Sequence, residues 1–116
     1  MTGFSRAERV GGQIQKIISA LLLKDIKDPR LEMTTITDVK MSKDLKIARI
    51  YFTTTGGKTN ADEALKGFKS AAGFLKRSLS SELALRYMPE ISFFYDESYD
   101  YGERIENVLK SIKMDS

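Results

Sequence analysis

The stretch from Asn60 to Met88 constrains the fold most, because its apolar residues recur at three- and four-residue steps. These residues are Leu65, Phe68, Ala72, Leu75, Leu79 and Leu83, and their spacing gives a helix one buried face. Ala71, Ala72 and Gly73 form a small-residue joint within the pattern. Glycine costs a helix interior about 1 kcal/mol relative to alanine, and such clusters are common places for a sharp bend. We therefore predict two helices that pack on a core and meet at a kink.

Basic residues follow the same stretch but lie mostly outside its apolar stripe. They are Lys66, Lys69, Lys76 and Arg77, and a second basic stripe is formed by Arg6, Arg9 and Lys16 in the first predicted helix. Each stripe either solvates a helix face or contacts the phosphates of a nucleic acid. The sequence pattern leaves both interpretations open.

The N-terminal helix is predicted from Ser5 to Leu23. Ser5 and Glu8 match the S-x-x-E capping box. Its buried stripe consists of Val10, Ile14, Ile17, Ile18, Leu21 and Leu22. Pro29, in the charged segment that follows, forbids continuation of the helix.

Three strands are predicted from β-branched and aromatic residues. Thr34–Met41 and Leu45–Thr54 are separated by a short polar turn and predict an antiparallel hairpin. Alternation breaks between Ile36 and Val39, which indicates a bulge. Pro89 is predicted to close the long helical stretch, and the third strand, Ile91–Asp96, is expected to join the same sheet.

Two further helix signals complete the predicted element order. Asn60 and Glu63 form a second capping pair, which places the start of the long helical stretch at about Ala61. A last short amphipathic helix is indicated by Ile105, Val108, Leu109 and Ile112.

The composition excludes most catalytic chemistry. The chain has no cysteine and no histidine, hence no thiolate nucleophile, imidazole base or soft metal ligand. We expect no enzyme activity, no cofactor and no metal. Gly57-Lys58-Thr59 matches the end of the phosphate-loop motif G-x-x-x-x-G-K-[ST], but Phe52 occupies the position of the first glycine that the motif requires. The acidic segment Asp96–Asp100 is interpreted as a helix cap rather than as a metal site.

Length and hydropathy indicate one domain covering residues 1–116. At 116 residues the chain is long enough for its own core, and no apolar run approaches the ~20 residues of a membrane span. The first ten residues resemble no secretory or organellar signal. We expect a soluble, cytoplasmic protein that does not associate with membranes, binds no small-molecule substrate and is a monomer.

Charge is distributed unevenly along the chain. Sixteen basic residues against nine acidic ones precede Glu90, whereas three against seven follow from that residue onward. A segregated field of this kind attracts polyanions and steers them onto one face. Phosphate backbones are the expected polyanion.

Several segments taken together resemble the ribosome-binding factor A family over nearly the whole chain. They are R-A-E-R-V (Arg6–Val10), D-P-R-L (Asp28–Leu31), V-K-M-S-K-D-L (Val39–Leu45) with A-R-I-Y (Ala48–Tyr51), Ala71-Ala72-Gly73, L-R-Y-M-P-E (Leu85–Glu90), F-F-Y-D-E-S (Phe93–Ser98) and G-E-R-I (Gly102–Ile105). No single segment is specific, but their combination in register is.

The resemblance implies a type II K-homology-like domain of the α+β class. The implied order is α-β-β-α-kink-α-β-α, with helices on one face of a three-stranded sheet and an A-x-G kink at Ala71–Gly73 in place of the usual G-x-x-G loop. It also implies a non-enzymatic assembly factor that binds the maturing small ribosomal subunit and its RNA. Such a factor supports late maturation and rRNA processing, particularly in the cold. Some members carry a longer C-terminal tail than this chain has.

The candidate RNA-binding residues are Arg6, Arg9, Lys16, Lys66, Lys69, Lys76, Arg77 and Arg86. Three functions remain open: an assembly factor that applies a basic face to structured RNA, a general K-homology-type binder of single-stranded RNA, and a protein-interaction module. The second requires a G-x-x-G loop to clamp the RNA backbone, and the sequence lacks one.

Overall fold

The computed structural model describes residues 5–98. In chain order its elements are helix α1 (Arg6–Lys24), a 3₁₀ turn (Pro29–Leu31), strands β1 (Thr34–Met41) and β2 (Ile47–Thr54), a second 3₁₀ turn (Gly57–Asn60), helix α2 (Ala61–Glu82) and strand β3 (Glu90–Tyr95). The predicted α+β class and three-stranded sheet are confirmed. The predicted last helix, with Ile105 and Val108, lies outside the described residues.

Helix α1 begins at the predicted capping box. The Glu8 backbone N–H donates to Ser5 Oγ at 3.1 Å, and the Ser5 hydroxyl donates to Glu8 Oε1 at 3.3 Å. These contacts satisfy one of the backbone donors that a helix N-terminus leaves without an intrahelical partner. Val10, Ile14 and Ile18 are buried along one face, as their spacing predicts.

The sheet has the order β1-β2-β3, with β2 in the centre. β1 and β2 are antiparallel, as predicted, and the register shifts between Ile36 and Asp38, which confirms the bulge. β3 lies parallel to β2, an arrangement that requires the long crossover through α2. The predicted second strand started two residues too early, because the Lys46 and Ile47 backbone N–H groups donate to Ser42 Oγ in the hairpin turn.

Both described helices pack on one face of the sheet, as predicted. The buried side chains of α1 and α2 belong to a single hydrophobic cluster with Ile50 and Phe52 of β2. Phe68 of α2 stacks on Phe93 of β3, with ring centroids 4.2 Å apart, and it lies 5.0 Å from the ring of Phe52. Burying one such side chain stabilises the fold by about 1.5–3 kcal/mol, so these aromatic contacts fix α2 across the sheet.

The predicted pair of helices is a single helix. α2 continues without interruption from Ala61 to Glu82, because Ala71 and Ala72 are strong helix formers and the buried stripe extends past Gly73 to Leu75 and Leu79. The stretch predicted as two helices is therefore one helical element, and the bend expected at Ala71–Gly73 stays a prediction.

The ends of α2 also differ from the predicted ones. The helix ends before Pro89, because Leu83 is extended (φ −88°, ψ 130°) and inserts its side chain into the core, where it is buried. Asn60 makes no capping hydrogen bond. Its side-chain amide donates instead to the Thr55 carbonyl at 2.8 Å, so the predicted capping pair was wrong although the predicted start at Ala61 is confirmed.

Candidate nucleic-acid interface

The predicted basic residues of α2 form one exposed strip. Lys66, Lys69, Lys76 and Arg77 are all exposed or half-exposed on the helix surface, and at 100° per residue they fall within an arc of about 100°. The buried residues Phe68 and Leu75 lie on the opposite side. The strip therefore faces away from the sheet along about three turns of helix.

The four side chains of this α2 strip are not equally available. Lys66 Nζ lies 3.3 Å from Glu63 Oε1, one turn earlier. Lys69, Lys76 and Arg77 form no ion pair with any carboxylate in residues 5–98. These three charges are consequently the ones that α2 offers to an external anion.

Gly73 lies in the α2 strip and is exposed. A Cβ built at this position would meet only Arg77 Nη1, at 3.4 Å. Gly73 therefore makes no close approach to another element. Its missing side chain instead leaves room for the Arg77 guanidinium to lie over the helix, while Ala71 and Ala72 are half-buried.

The close approach lies nearly two turns earlier, at Gly67. A Cβ there would be 2.8 Å from Leu31 Cγ, closer than real Cβ contacts allow, and 3.3 Å from Arg30 Cβ. Gly67 thus lets the 3₁₀ turn Pro29–Leu31 pack on α2. No pattern in the sequence indicates this contact, because a glycine that permits tight packing looks the same as one that merely weakens a helix.

The predicted basic residues of α1 are also exposed. Arg9 and Lys16 lie on the side of α1 that faces away from its buried residues, whereas Arg6, one turn before the buried Val10, lies at the edge of that side. Because α1 and α2 pack on the same sheet face, both strips are on the helical side of the molecule.

Arg86 lies apart from the α2 strip but close to Arg6. Both line a groove of ≈ 230 Å³ between the start of α1, the β1–β2 turn and the segment after α2. Lys46 and Tyr87 also line it, and the Arg86 guanidinium lies 5.5 Å from the centroid of the Tyr87 ring. The structure thus brings two predicted residues together with a lysine that the sequence analysis did not select.

Arg30 is a further basic residue near α2, and it has partners within the fold. Its guanidinium donates to both carboxylate oxygens of Asp28, at 3.0 and 2.8 Å, and to Ser70 Oγ at 3.3 Å. The side-chain hydrogen bonds from Arg30, with the Arg30 backbone N–H, lower the pKa of Asp28 below its ordinary value. This pair fixes the Asp28–Leu31 turn against the middle of α2.

The sheet face opposite the helices carries a second set of basic and aromatic side chains that the sequence analysis did not identify as a site. Lys40, Arg49, Tyr51 and Phe94 lie on this face by strand alternation and register. The available signal was the alternation of β2, in which Ala48, Ile50 and Phe52 are buried and the residues between them are not.

The two sequence segments with possible phosphate or metal chemistry have structural roles. Gly57–Asn60 forms a 3₁₀ turn between β2 and α2. Asp96 accepts a hydrogen bond from the Ser98 backbone N–H at 3.0 Å, as a helix cap does, and another from Thr37 Oγ1 of β1 at 2.6 Å. Asp100 lies outside the described residues. Residues 5–98 contain no group of three or more acidic side chains that could hold a metal ion.

Neither described helix combines the length and the apolar character needed to cross a membrane.

The chain is similar to known proteins over most of its length. Residues 6–109 match the family model described as Ribosome-binding factor A. The Ribosome-binding factor A of Desulfatibacillum aliphaticivorans is 52% identical over 112 residues, which cover 97% of this chain and 91% of that protein. That of Desulfosudis oleivorans is 48% identical over 113 residues, with coverages of 97% and 88%.

Solved structures share the fold. The crystal structure of ribosome-binding factor A from Thermus thermophilus superimposes with a TM-score of 0.68 at 21% identity, covering 77% of this chain and 93% of that one. A homology model of the Thermus thermophilus protein, fitted into a cryo-EM map of its complex with the 30S subunit, gives a TM-score of 0.63 at 21% identity, with coverages of 82% and 97%. On the sequence matches, this chain belongs to the ribosome-binding factor A family.

Proposed function

We propose that this protein binds the maturing small ribosomal subunit through its ribosomal RNA and acts without catalysing a reaction. The observation that carries the proposal is the α2 strip, in which Lys69, Lys76 and Arg77 face away from the core and have no carboxylate partner in the described part of the chain. Family membership and the 30S complex of the Thermus thermophilus relative support the same partner.

Phosphate contacts are the chemistry that these side chains suit. Lysine and arginine ends on a solvated helix face neutralise backbone phosphates and release condensed counterions. The basic surface extends along α1 through Arg6, Arg9 and Lys16. Lys66 contributes a further positive charge on α2, and Arg86 contributes one in the groove beside Arg6. These contacts would position the protein on folded RNA rather than read its sequence.

The biological role that we propose is support of late small-subunit maturation and rRNA processing, especially in the cold. Residues 1–116 would form a single K-homology-like domain that acts as a cytoplasmic monomer, with no cofactor and no small-molecule substrate. Its support is the family, whose bacterial members carry the same name. A general binder of single-stranded RNA that uses the K-homology clamp is disfavoured, because α2 is continuous where such a domain has its G-x-x-G loop.

Co-sedimentation tests the partner. The protein is expected to pellet with immature small subunits and not with mature large subunits, and ribonuclease treatment is expected to release it. Pelleting that survives complete RNA digestion would favour a protein-interaction module instead. In cells lacking the protein, small subunits with unprocessed RNA ends should accumulate at low temperature, and a normal sucrose-gradient profile would contradict the maturation role.

A further inference from the structure

The open face of the sheet presents two rows of side chains that cross the strands. Register places Lys40, Arg49 and Ser92 side by side in one row, and Asp38, Tyr51 and Phe94 in the next. Neighbouring strands lie about 4.8 Å apart, and residues two apart on one strand are separated by about 6.8 Å. A basic row therefore lies directly beside an aromatic row.

The aromatic row is exposed on the side of the sheet away from both described helices. Phe94 is 43% exposed and Tyr51 is half-buried, with ring centroids 5.6 Å apart and planes tilted by 31°. Ile47, at the start of β2, is 42% exposed on the same face. None of these side chains belongs to the buried core cluster.

The basic row gives this aromatic surface a charge preference. Lys40 Nζ lies 5.5 Å from the centroid of the Tyr51 ring, and neither Lys40 nor Arg49 has an ion-pair partner among residues 5–98. The nearest acidic neighbour in register, Asp38, turns one carboxylate oxygen back to the Val39 backbone N–H at 2.9 Å. Two cations beside the exposed Phe94 ring and the half-buried Tyr51 ring suit an anionic chain with flat, unpaired bases.

We propose that the open sheet face binds a single-stranded segment of RNA, with bases stacked on Tyr51 and Phe94 and phosphates beside Lys40 and Arg49. Stacking on aromatic side chains with a flanking basic groove is the general chemistry of single-strand binding. The inference deepens the proposed function, on which it rests, by giving the RNA partner a second contact. The helical face would hold folded RNA, and the sheet face an unpaired strand.

A tryptophan reporter tests the stacking directly, because the chain contains no tryptophan. In the full-length Tyr51→Trp variant, a single-stranded oligouridine is expected to quench the indole fluorescence, whereas an RNA hairpin whose bases are all paired is not. Phe74→Trp places the matched reporter beside the α2 strip, where Phe74 is 38% exposed. That reporter should respond to the hairpin.

Leucine substitutions measure the energetic weight of the rings. Tyr51→Leu combined with Phe94→Leu is expected to weaken oligouridine binding by about tenfold or more, while the slope of log affinity against log salt stays unchanged because no cation is removed. A thermal melt of the double variant checks that it folds. If it does not fold, the quenching of the Tyr51→Trp variant decides the question alone.

The outcomes separate this proposal from the proposed function. Absence of oligouridine quenching in Tyr51→Trp, with small-subunit binding intact, overturns the sheet-face site and leaves the proposed function standing. Loss of small-subunit binding by the unsubstituted protein overturns the proposed function itself. Iodide that fails to quench the emission of Tyr51→Trp without RNA would mean that another part of this chain, or at high concentration a second copy, already covers the face, and this too overturns the proposal.

Discussion

Two adjacent glycines of α1 allow a sharp test of how this helix meets the sheet. A Cβ at Gly11 would lie 2.9 Å from the Val39 backbone oxygen, whereas a Cβ at Gly12 would meet nothing within 4 Å. Both positions are in the interior of the same helix, so alanine raises helix propensity equally at each. Any difference between the two variants reports the contact with β1.

The expected magnitudes follow from that geometry. Gly12→Ala should raise the free energy of unfolding by about 0.5–1 kcal/mol. Gly11→Ala gains the same propensity, but overpacking against a backbone atom that cannot rotate away costs about 1–3 kcal/mol. The two variants should therefore differ by about 1–3 kcal/mol, and each kcal/mol shifts Tm by roughly 4–8 °C in a domain of about this size.

Urea denaturation followed by far-UV circular dichroism gives the comparison, with equal m-values as the check that both variants unfold in the same way. Equal stabilisation by the two alanines would refute the close approach of α1 to β1. Destabilisation by Gly12→Ala would refute its exposed position.

Three further predictions concern α2 and its surroundings. Changing Lys69, Lys76 and Arg77 together to Gln should flatten log RNA affinity against log salt by about 0.7–0.9 for each phosphate that is no longer neutralised, with little change in Tm. Gly73→Ala should raise the free energy of unfolding by up to about 1 kcal/mol in urea denaturation, because the added Cβ meets only a movable guanidinium; a decrease in stability would restore a packing role for this glycine. Asp28→Asn should lower Tm at neutral pH, and the difference in Tm from the unsubstituted protein should shrink in acid. The pKa of Asp28 is lowered in the folded protein, so its carboxylate stabilises the fold above the ordinary pKa, and this stabilisation is lost as the pH falls through the folded-state pKa. An equal Tm difference at every pH would contradict this.

The charge substitution has a matched control in the acidic C-terminal region. Changing Arg104, Lys110 and Lys113 to Gln removes the same net charge. Equal decreases in affinity from both triple variants would mean that only overall charge matters. If the α2 triple variant binds RNA with unchanged affinity, Lys69, Lys76 and Arg77 only solvate the helix. The RNA contact would then be expected at Arg6, Arg9 and Lys16.

The fold was largely predictable because local patterns and tertiary packing agree in this chain. The capping box at Ser5 and the break before Val39 each report a local backbone preference, and both are confirmed. Where tertiary contacts decide, the sequence pattern was misleading. The helix ends before Leu83 because the side chain of Leu83 is buried in the core in an extended backbone conformation. The residues next to Leu83 in the sequence do not indicate that the helix ends there.

The candidate site was predictable only in part, for a related reason. Exposed lysines at helical spacing can be recognised from sequence, and Lys69 and Lys76 of α2 are exposed as expected. The sheet-face set of Lys40, Arg49, Tyr51 and Phe94 depends on pairing between distant strands, since Tyr51 and Phe94 become neighbours only in the parallel β2–β3 register. Sequence alternation shows that a residue faces outward but not which residues of another strand lie beside it.

The parallel pairing of β3 has a consequence for the order in which the chain folds during its own synthesis. β1 and β2 pair across a short turn, with Met41 opposite Ala48. The pairing of Ile47 in β2 with Glu90 in β3 joins residues that are far apart in the sequence. Distant pairings form slowly because the entropy of loop closure opposes them until the contact is made. Until β3 leaves the ribosomal exit tunnel, the ring of Phe68 cannot stack on the ring of Phe93. The side of α2 that carries Phe68 then stays exposed to water. We therefore expect the nascent chain to be exposed to aggregation and to proteases until β3 has emerged and paired with β2.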